Sequence, residues 1–198
     1  MSRPTPSPSS VYPAREDTTL LLRFAATGRG RWVLEIGCGQ GAIALAAARS
    51  GARVVATDLN PLALTRLREV ARAEGLALDA VRTDVAAGLG RFDRVLANPP
   101  YLPTPPAARD PDPWVNLALD GGPDGLALTR RILATLPEHL RPGGVAYVLL
   151  SSRQSSAART SLLDAWVAGG GTAHPAAFTA LGDERLEVWE LAVPTARA

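Results

Sequence analysis

The sequence predicts an α/β protein built on a doubly wound, mostly parallel β-sheet. From Arg31 onward, short apolar runs typical of buried strands alternate with longer segments that have the apolar spacing of helices. Glycines and acidic residues stand where the first runs end, and such sheets bind ligands beyond the carboxyl ends of their strands. A chain of 198 residues with 46% hydrophobic content can bury one core. We therefore expect a single domain over residues 11–198.

The segment before the first strand divides into a tail and a helix. Residues 1–10 are rich in Ser and Pro, a composition typical of disorder. The stretch "EDTTLLLRFAA", which starts at Glu16, has an acidic beginning and then helical apolar spacing. We expect a disordered tail over residues 1–10 and an N-terminal helical segment over residues 11–29.

Strands and helices then alternate through the middle of the chain. The predicted strands are "RWVLEIG", "ARVVATD", "LALDAVRTD" and "RFDRVLANPP", and the helices between them are "GAIALAAARS" and "NPLALTRLREVARAEG". A Pro-rich loop from Leu102 to Pro113 follows the fourth strand. The rest of the chain predicts, in order, the helix "DGLALTRRILATLPEHL", the strand "GGVAYVLLS", the helix "SSAARTSLLDAWVAGG", the weak strand "TAHPAAFTAL" and the clear strand "ERLEVWELAV".

Composition excludes several classes of function. The net charge is +2 and every basic residue apart from the two histidines is Arg, so charge does not favour a nucleic-acid partner. A single cysteine, Cys38, excludes an intramolecular disulfide and a Cys-cluster zinc site, and His139 and His174 stand far apart, so we expect no metal. No apolar run has the length of a signal peptide or a membrane span, and we expect a cytoplasmic protein that binds no membrane.

The first strand ends in a glycine-rich turn, "LEIGCGQG", directly before a helix. Gly37, Gly39 and Gly41 permit a tight turn and the close approach of a ligand to the backbone, and the helix start offers unpaired amide donors. Gly37, Gly39 and Ala42 also fit the dinucleotide pattern G-x-G-x-x-G/A. The glycines alone therefore leave a nicotinamide or flavin cofactor open.

Acidic residues at three successive strand ends favour S-adenosylmethionine. Glu35 would repel a pyrophosphate but attract the ammonium of an amino-acid moiety. Asp58 ends the second strand and is expected to be free to accept both ribose hydroxyls. Asp84 ends the third strand and is placed to meet the adenine amine. Taken singly, each acid has an ordinary interpretation as a cap or turn residue.

The stretch "ANPPYLPT" ends the fourth strand, where two prolines stop the strand and stiffen the turn. Beside a candidate S-adenosylmethionine site, "NPPY" is typical of methyltransferases that act on nitrogen in a planar group. The side-chain oxygen of Asn98 and the carbonyl of Pro99 can accept the two hydrogens of an NH₂ group, while Tyr101 packs beside the path of the methyl. We expect these three residues to be catalytic, although the same residues would also make an ordinary stiff turn.

The chain resembles the HemK family of protein glutamine methyltransferases, which modify the Gln of a Gly-Gly-Gln motif in class I peptide-release factors. The resemblance rests on "YPAREDTTLLL", "LEIGCGQG", "ATDLNPLAL", "RTDVAAGL", "ANPPYLPTPP" and "LDGGPDGL", in that order. It implies the class I S-adenosylmethionine-dependent (Rossmann-like) fold, with seven strands and an antiparallel last strand. The chain is similar to the short form of eukaryotes and archaea, which works with a small zinc-binding activator protein.

The resemblance also assigns roles to residues. It implies that the stretch "EDT" is a lid over the cofactor and that Asn98 meets both cofactor and substrate. The residues that it gives to the cofactor are Thr18, Glu35, Gly37, Asp58, Leu59, Asp84, Val85 and Asn98.

The acceptor could also be a nitrogen of another protein or of a small molecule, and three other functions stay open at this point. An adenine amino-group methyltransferase acting on DNA or RNA would use the same clamp, but it would need a basic groove. A nicotinamide-dependent reductase would explain the glycines and leave Glu35 and "NPPY" unexplained. A non-catalytic subunit that binds S-adenosylmethionine would be expected to lose the clamp, which this chain keeps.

Overall fold

A computed structural model describes residues 5–6 and 11–193, and these residues form one seven-stranded sheet covered by helices on both faces. The strand order is β3-β2-β1-β4-β5-β7-β6. The helices are α1 Glu16–Leu22, α2 Ala42–Arg49, α3 Pro61–Ala73, α4 Pro113–Leu119, α5 Ala127–His139 and α6 Ser156–Ala168. The strands are β1 Trp32–Ile36, β2 Arg53–Asp58, β3 Leu78–Arg82, β4 Phe92–Ala97, β5 Leu140–Ser151, β6 Thr172–Leu181 and β7 Glu184–Ala192.

The strand directions confirm the predicted fold class. Strands β1 to β5 pair in parallel, while β7 runs antiparallel to both of its neighbours, β5 and β6. The strand order reverses between β1 and β4, because β2 and β3 continue on one side of β1 and β5 on the other side of β4. In an open α/β sheet, the crevice beyond such a reversal is the usual place for a ligand.

The core forms two apolar layers because successive side chains of a strand point to opposite faces. On β1, Val33 packs with Ile43 and Leu67 on the face that α1, α2 and α3 cover. Its neighbour Leu34 packs with Ile132 on the face of α5 and α6. Burial on both faces explains why the central strands are almost continuously apolar in sequence.

Three elements differ from the sequence-based expectation. Helix α1 is limited to Glu16–Leu22 within the expected segment 11–29. Strand β5 begins at Leu140, immediately after α5. Helix α4 was not predicted; Asp112 caps it by accepting the Trp114 amide at 2.8 Å, and Pro113 occupies the first turn, where a missing N–H costs nothing.

The remaining expectations about the chain's organisation concern its ends. The predicted disordered tail lies outside the described residues except for residues 5 and 6. Val11, where the single domain is expected to begin, has a buried side chain. Within residues 5–6 and 11–193, no helix combines the length and the apolar character that a membrane span requires.

Candidate active site

The glycine-rich turn between β1 and α2 is fixed by backbone hydrogen bonds to β2. The amides of Gly37 and Cys38 both donate to the Thr57 carbonyl, each at 2.9 Å. Gly41 has a φ of +79°, and a Cβ at this position would lie 2.5 Å from Leu67 Cδ1. Only glycine combines that left-handed conformation with so close an approach of the turn to α3.

Asp58 stabilises this turn as well as facing the crevice. Its Oδ2 accepts the Gly39 amide at 2.9 Å, and its Oδ1 accepts the Asn60 amide at 2.8 Å. Each oxygen thus already has a partner within the protein, which the sequence did not reveal. Because a carboxylate offers about four lone-pair positions, Asp58 can still accept from a ligand beside these bonds, and its role toward the ribose stays a prediction. Burial raises the pKa of this carboxyl, and the amide donors oppose that rise.

Glu35 lies at the end of β1 and is only 3% exposed. Its Oε2 accepts the Ala44 amide at 2.8 Å, in the first turn of α2. Burial raises the pKa of Glu35 well above its ordinary value, and the nearby Asp58 carboxylate raises it further. A buried anion at this place is costly unless a cationic group comes to meet it.

Two residues that follow β3, Asp84 and Val85, line the crevice. The half-exposed carboxylate of Asp84 accepts from Arg131 of α5, with 2.6 Å between Oδ2 and Nη2. The next residue, Val85, has a φ of +55°, an outlying conformation for a β-branched side chain. Its carbonyl accepts the Thr57 hydroxyl at 2.8 Å, which holds the residue in place. Backbone strain of this kind clusters at functional sites.

The turn after β4 contains Asn98, whose two polar side-chain atoms have different surroundings. Asn98 donates from Nδ2 to Asp17 Oδ2 at 3.0 Å. Its other polar atom, Oδ1, is buried and has no hydrogen-bond partner among the described residues. A buried oxygen without a donor costs about 1–3 kcal/mol, which a ligand that donates to it would recover.

The rest of this turn is braced by the loop before α5. The Gly121 amide donates to the Leu102 carbonyl at 3.0 Å, and the Thr104 amide donates to the Gly122 carbonyl at 2.9 Å. Gly125 packs so closely that a Cβ there would collide with the Tyr101 carbonyl oxygen. The motif "LDGGPDGL" therefore fixes the backbone of the turn that carries Tyr101.

Tyr101 itself is half-buried among acidic groups. Burial raises the pKa of its phenol, and the carboxylates of Asp17 and Glu184 raise it further. Glu184, at the start of β7, lines the same cavity. The Tyr101 phenol therefore stays protonated at physiological pH, and its ring packs against the core on the α1 face of the sheet.

The candidate functional residues at these strand ends surround one cavity of about 720 Å³. It runs from the glycine turn, past the ends of β2 and β3, to the turn after β4. The structure thus brings together every residue that the sequence predicted for the site, which are Thr18, Glu35, Gly37, Gly39, Gly41, Asp58, Leu59, Asp84, Val85, Asn98, Pro99 and Tyr101. In residues 5–6 and 11–193, no group of three His, Cys, Asp or Glu side chains could hold a metal ion.

Two residues of the site were missed as individuals. Asp17 is 2% exposed and contacts Asn98, although it was expected only as part of an acidic helix start and of the lid. Arg131 belongs to a helix that was predicted without any functional residue. The acidic pair at the start of α1 is the feature of the sequence that could have pointed to Asp17 as a site residue. No pattern in the sequence around Arg131 indicates that it reaches the site.

Comparison with known proteins identifies the family. The family model of the methyltransferase small domain matches residues 14–105. A putative protein N5-glutamine methyltransferase of Methanocaldococcus jannaschii is 39% identical over 144 residues, which are 72% of this chain and 73% of that protein. The chain belongs to the HemK family of protein glutamine methyltransferases. The predicted enzyme class and its S-adenosylmethionine cofactor are thereby confirmed, and the nicotinamide-dependent reductase is set aside.

Bacterial members of the family match over a smaller share of their length. The release factor glutamine methyltransferase of Deinococcus radiodurans is 42% identical over 133 residues, which are 62% of this chain and 46% of that protein. The match thus spans about half the length of this bacterial relative, against 73% of the archaeal one.

Solved structures agree on the fold. The E. cuniculi Mtq2–Trm112 complex, described as responsible for methylation of the termination factor eRF1, matches with a TM-score of 0.70 and 22% identity over 93% of this chain and 99% of that one. TrmN from Thermus thermophilus matches with a TM-score of 0.62 and 28% identity over 87% of this chain and 47% of that one. Both matches support the predicted class I methyltransferase fold.

Proposed function

We propose that this chain transfers a methyl group from S-adenosylmethionine to the side-chain amide nitrogen of the Gln in a Gly-Gly-Gln motif of a class I peptide-release factor. The observation that carries the proposal is the buried, unpartnered Oδ1 of Asn98 in a residue that lines the cavity. A carboxamide NH₂ is a planar donor of two hydrogen bonds. Asn98 Oδ1 would accept one of them and the Pro99 carbonyl the other.

The chain's own groups suit the cofactor. S-adenosylmethionine supplies an electrophilic methyl group on a sulfonium. The acceptor capacity that Asp58 keeps beside its amide partners is available to ribose hydroxyls, and the buried Glu35 carboxylate is available to the ammonium. Leu59, Asp84 and Val85, at the ends of β2 and β3, line the part of the cavity proposed for adenine. Thr18, in the lid helix α1, lines the same cavity.

The acceptor half of the site would act by positioning and electrostatics. An amide nitrogen is a weak nucleophile, so the site must hold it in line with the methyl group and keep water out. Two fixed acceptors, Asn98 Oδ1 and the Pro99 carbonyl, would fix the plane of the amide and stabilise the positive charge that develops on its nitrogen. No general base is needed before transfer, because the proton can leave afterwards.

The decisive experiment incubates the purified chain with methyl-labelled S-adenosylmethionine and a class I release factor. The matched control is the same factor with Ala in place of the motif's Gln. We expect label on the Gln of the unaltered factor and none on the control, located by peptide mass spectrometry. Label on adenine in added RNA or DNA, or on another protein in a lysate, would overturn the acceptor. The absence of any labelled acceptor would favour a non-catalytic subunit.

The proposed acceptor, together with a similar solved structure, suggests a partner protein and a cellular compartment. The neighbouring E. cuniculi structure is a complex with Trm112. We therefore propose a small zinc-binding activator protein as the partner of this chain too, and the cytoplasm, where release factors act, as its place of work. Turnover by the purified chain alone, equal to turnover with such a partner added, would remove the activator from the proposal.

A further inference from the structure

We propose that Asp17 is the positioning residue that orients the Asn98 amide for the transfer reaction proposed above. Asp17 lies on α1, 81 positions before Asn98 in the chain, and is 2% exposed. Its carboxylate is the hydrogen-bond partner of Asn98 Nδ2.

The geometry leaves Asn98 a single satisfactory orientation. An ionised carboxylate only accepts hydrogen bonds, so the group of Asn98 that faces it must be the donor, Nδ2. Asp17 is itself fixed at both oxygens: Oδ2 also accepts the Tyr12 hydroxyl at 2.7 Å, and Oδ1 accepts the Thr18 amide at 2.6 Å. The Asn98 amide therefore keeps Oδ1 for the acceptor substrate.

The opposite orientation would disable the site. If Asn98 flipped, Nδ2 would meet the NH₂ of the substrate, and two donors would face each other without an acceptor. The carboxylate behind the amide also polarises it in a low-dielectric setting, which makes Oδ1 a stronger acceptor. Because Asp17 belongs to α1, the lid helix and the turn after β4 form one hydrogen-bonded unit.

The first test is the variant Asp17→Asn, which keeps size and one acceptor oxygen. The new amide can still accept from the Thr18 backbone, but it now presents a donor to Asn98 and favours the flipped orientation. We expect kcat on the release factor to fall by about a hundredfold, the typical cost of one preorganised hydrogen bond at a reacting centre. The dissociation constant for S-adenosylmethionine should change by less than about threefold by calorimetry, because this bond concerns the acceptor.

Glu16→Gln is the matched control. Glu16 is the adjacent acid on the same helix, is exposed and does not line the cavity. This variant removes the same charge from the same turn without touching Asn98. We expect kcat within about twofold of the unaltered enzyme. An equal loss in both variants would mean that the charge of the helix, and not the contact with Asn98, is what matters.

The second test exchanges the two groups. In the double variant Asp17→Asn/Asn98→Asp, the amide at position 17 donates to the carboxylate at position 98, whose second oxygen faces the substrate. Asn98→Asp should therefore lower kcat when Asp17 is kept and raise kcat at least about tenfold in the Asp17→Asn background. A reversal of sign of this kind is not produced by general damage to the fold. A further loss in the double variant would overturn the proposal.

The effect of Asn98→Asp on the Tm should reverse its sign in the same way, and this can be measured without any methyl acceptor. Asn98→Asp should lower the Tm at neutral pH when Asp17 is kept, because two carboxylates then meet, and raise the Tm in the Asp17→Asn background. If the unaltered enzyme methylates no release factor, the proposed function fails while the Tm pair still tests the contact. If the Tm effects simply add, the orientation of Asn98 by Asp17 is refuted, whatever the acceptor is.

Discussion

The two halves of the cavity differ in how their polar groups are satisfied. In the cofactor half, at the ends of β1, β2 and β3, the acids already have partners within the protein: Glu35 accepts from Ala44, Asp58 from Gly39 and Asn60, and Asp84 from Arg131. In the acceptor half, at the turn after β4, Asn98 keeps a buried oxygen without a partner among the described residues.

The difference teaches that the two halves are built by different means. The cofactor half is assembled by the folding of the glycine turn, and the amide hydrogen bonds that Asp58 accepts hold this turn even before a ligand arrives. The acceptor half carries an unsatisfied group whose cost is recovered when a substrate donates to it. Such a group contributes to catalysis and not to stability, and substitutions in the two halves should separate these effects.

Asn98→Ala should give the largest effect and bear on the acceptor half alone. Removing one preorganised hydrogen bond at the reacting centre should reduce kcat by about a hundred- to a thousandfold. Affinity for S-adenosylmethionine should fall only modestly. The Tm should change little, because the lost bond from Nδ2 to Asp17 is offset by the removal of Oδ1, which is buried and has no partner among the described residues. Turnover assays and calorimetry on the same preparation measure both. Near-normal turnover would mean that "NPPY" serves only as a stiff turn and has no catalytic role.

Asp58→Ala should lower both the affinity for S-adenosylmethionine and the stability of the protein. The variant removes the acceptor for two ribose hydroxyls, which should weaken S-adenosylmethionine binding by roughly 2 kcal/mol or more. It also leaves the Gly39 and Asn60 amides without their acceptor, so the ligand-free protein should lose stability as well. Asp79→Ala, an exposed site on β3, is the control. Unchanged affinity with lowered stability would leave Asp58 a structural residue only.

Glu35→Gln should give the smallest effect, with opposite signs for binding and stability. Gln can still accept the Ala44 amide, but it brings no buried charge. The raised native pKa of Glu35 means that the native state is stabilised by its proton and loses that stability as the pH rises above the ordinary value of 4.5. Near neutral pH the Gln variant should therefore have a Tm higher by about 2–4 °C, a gain that vanishes near pH 4.

The same variant should bind S-adenosylmethionine about tenfold more weakly, because the ammonium loses its anionic partner. Thermal melts across pH and calorimetry at neutral pH measure the two effects. Glu69→Gln, at an exposed position on α3, is the control for a change of net charge. A Gln variant that is less stable at neutral pH would show that the buried carboxylate already has a cationic or donor partner strong enough to offset its burial.

The sequence predicted the cofactor half better than the acceptor half, for a physical reason. Gly37, Glu35 and Asp58 stand next to strand ends, and parallel strands bring such ends together, so local patterns were enough to place them. The hydrogen-bond partners of Asp58 could not be predicted, because the bonds from the Gly39 and Asn60 amides depend on the exact path of the turn.

Contacts between distant segments could not be predicted in the same way. Asp17 and Asn98 are 81 positions apart, and Asp84 and Arg131 are 47 apart. No periodicity or spacing in the sequence indicates that these residues meet. The two contacts form only because α1 and α5 pack against the sheet. Helix α4 was missed for a different reason: its prolines suggested a loop, although Asp112 and Pro113 form an ordinary helix start.

The bridge between Leu102 and Asp120 closes a loop at its base, with residues 103–119 between its two ends. Arg109 and Trp114 from this loop line the acceptor side of the cavity, while the base is held by backbone bonds of its own. We therefore expect that this loop can change in length and sequence while Asn98 keeps its place. A chimera that carries a relative's loop should still bind S-adenosylmethionine in calorimetry and should differ from the unaltered chain in its preference for the acceptor.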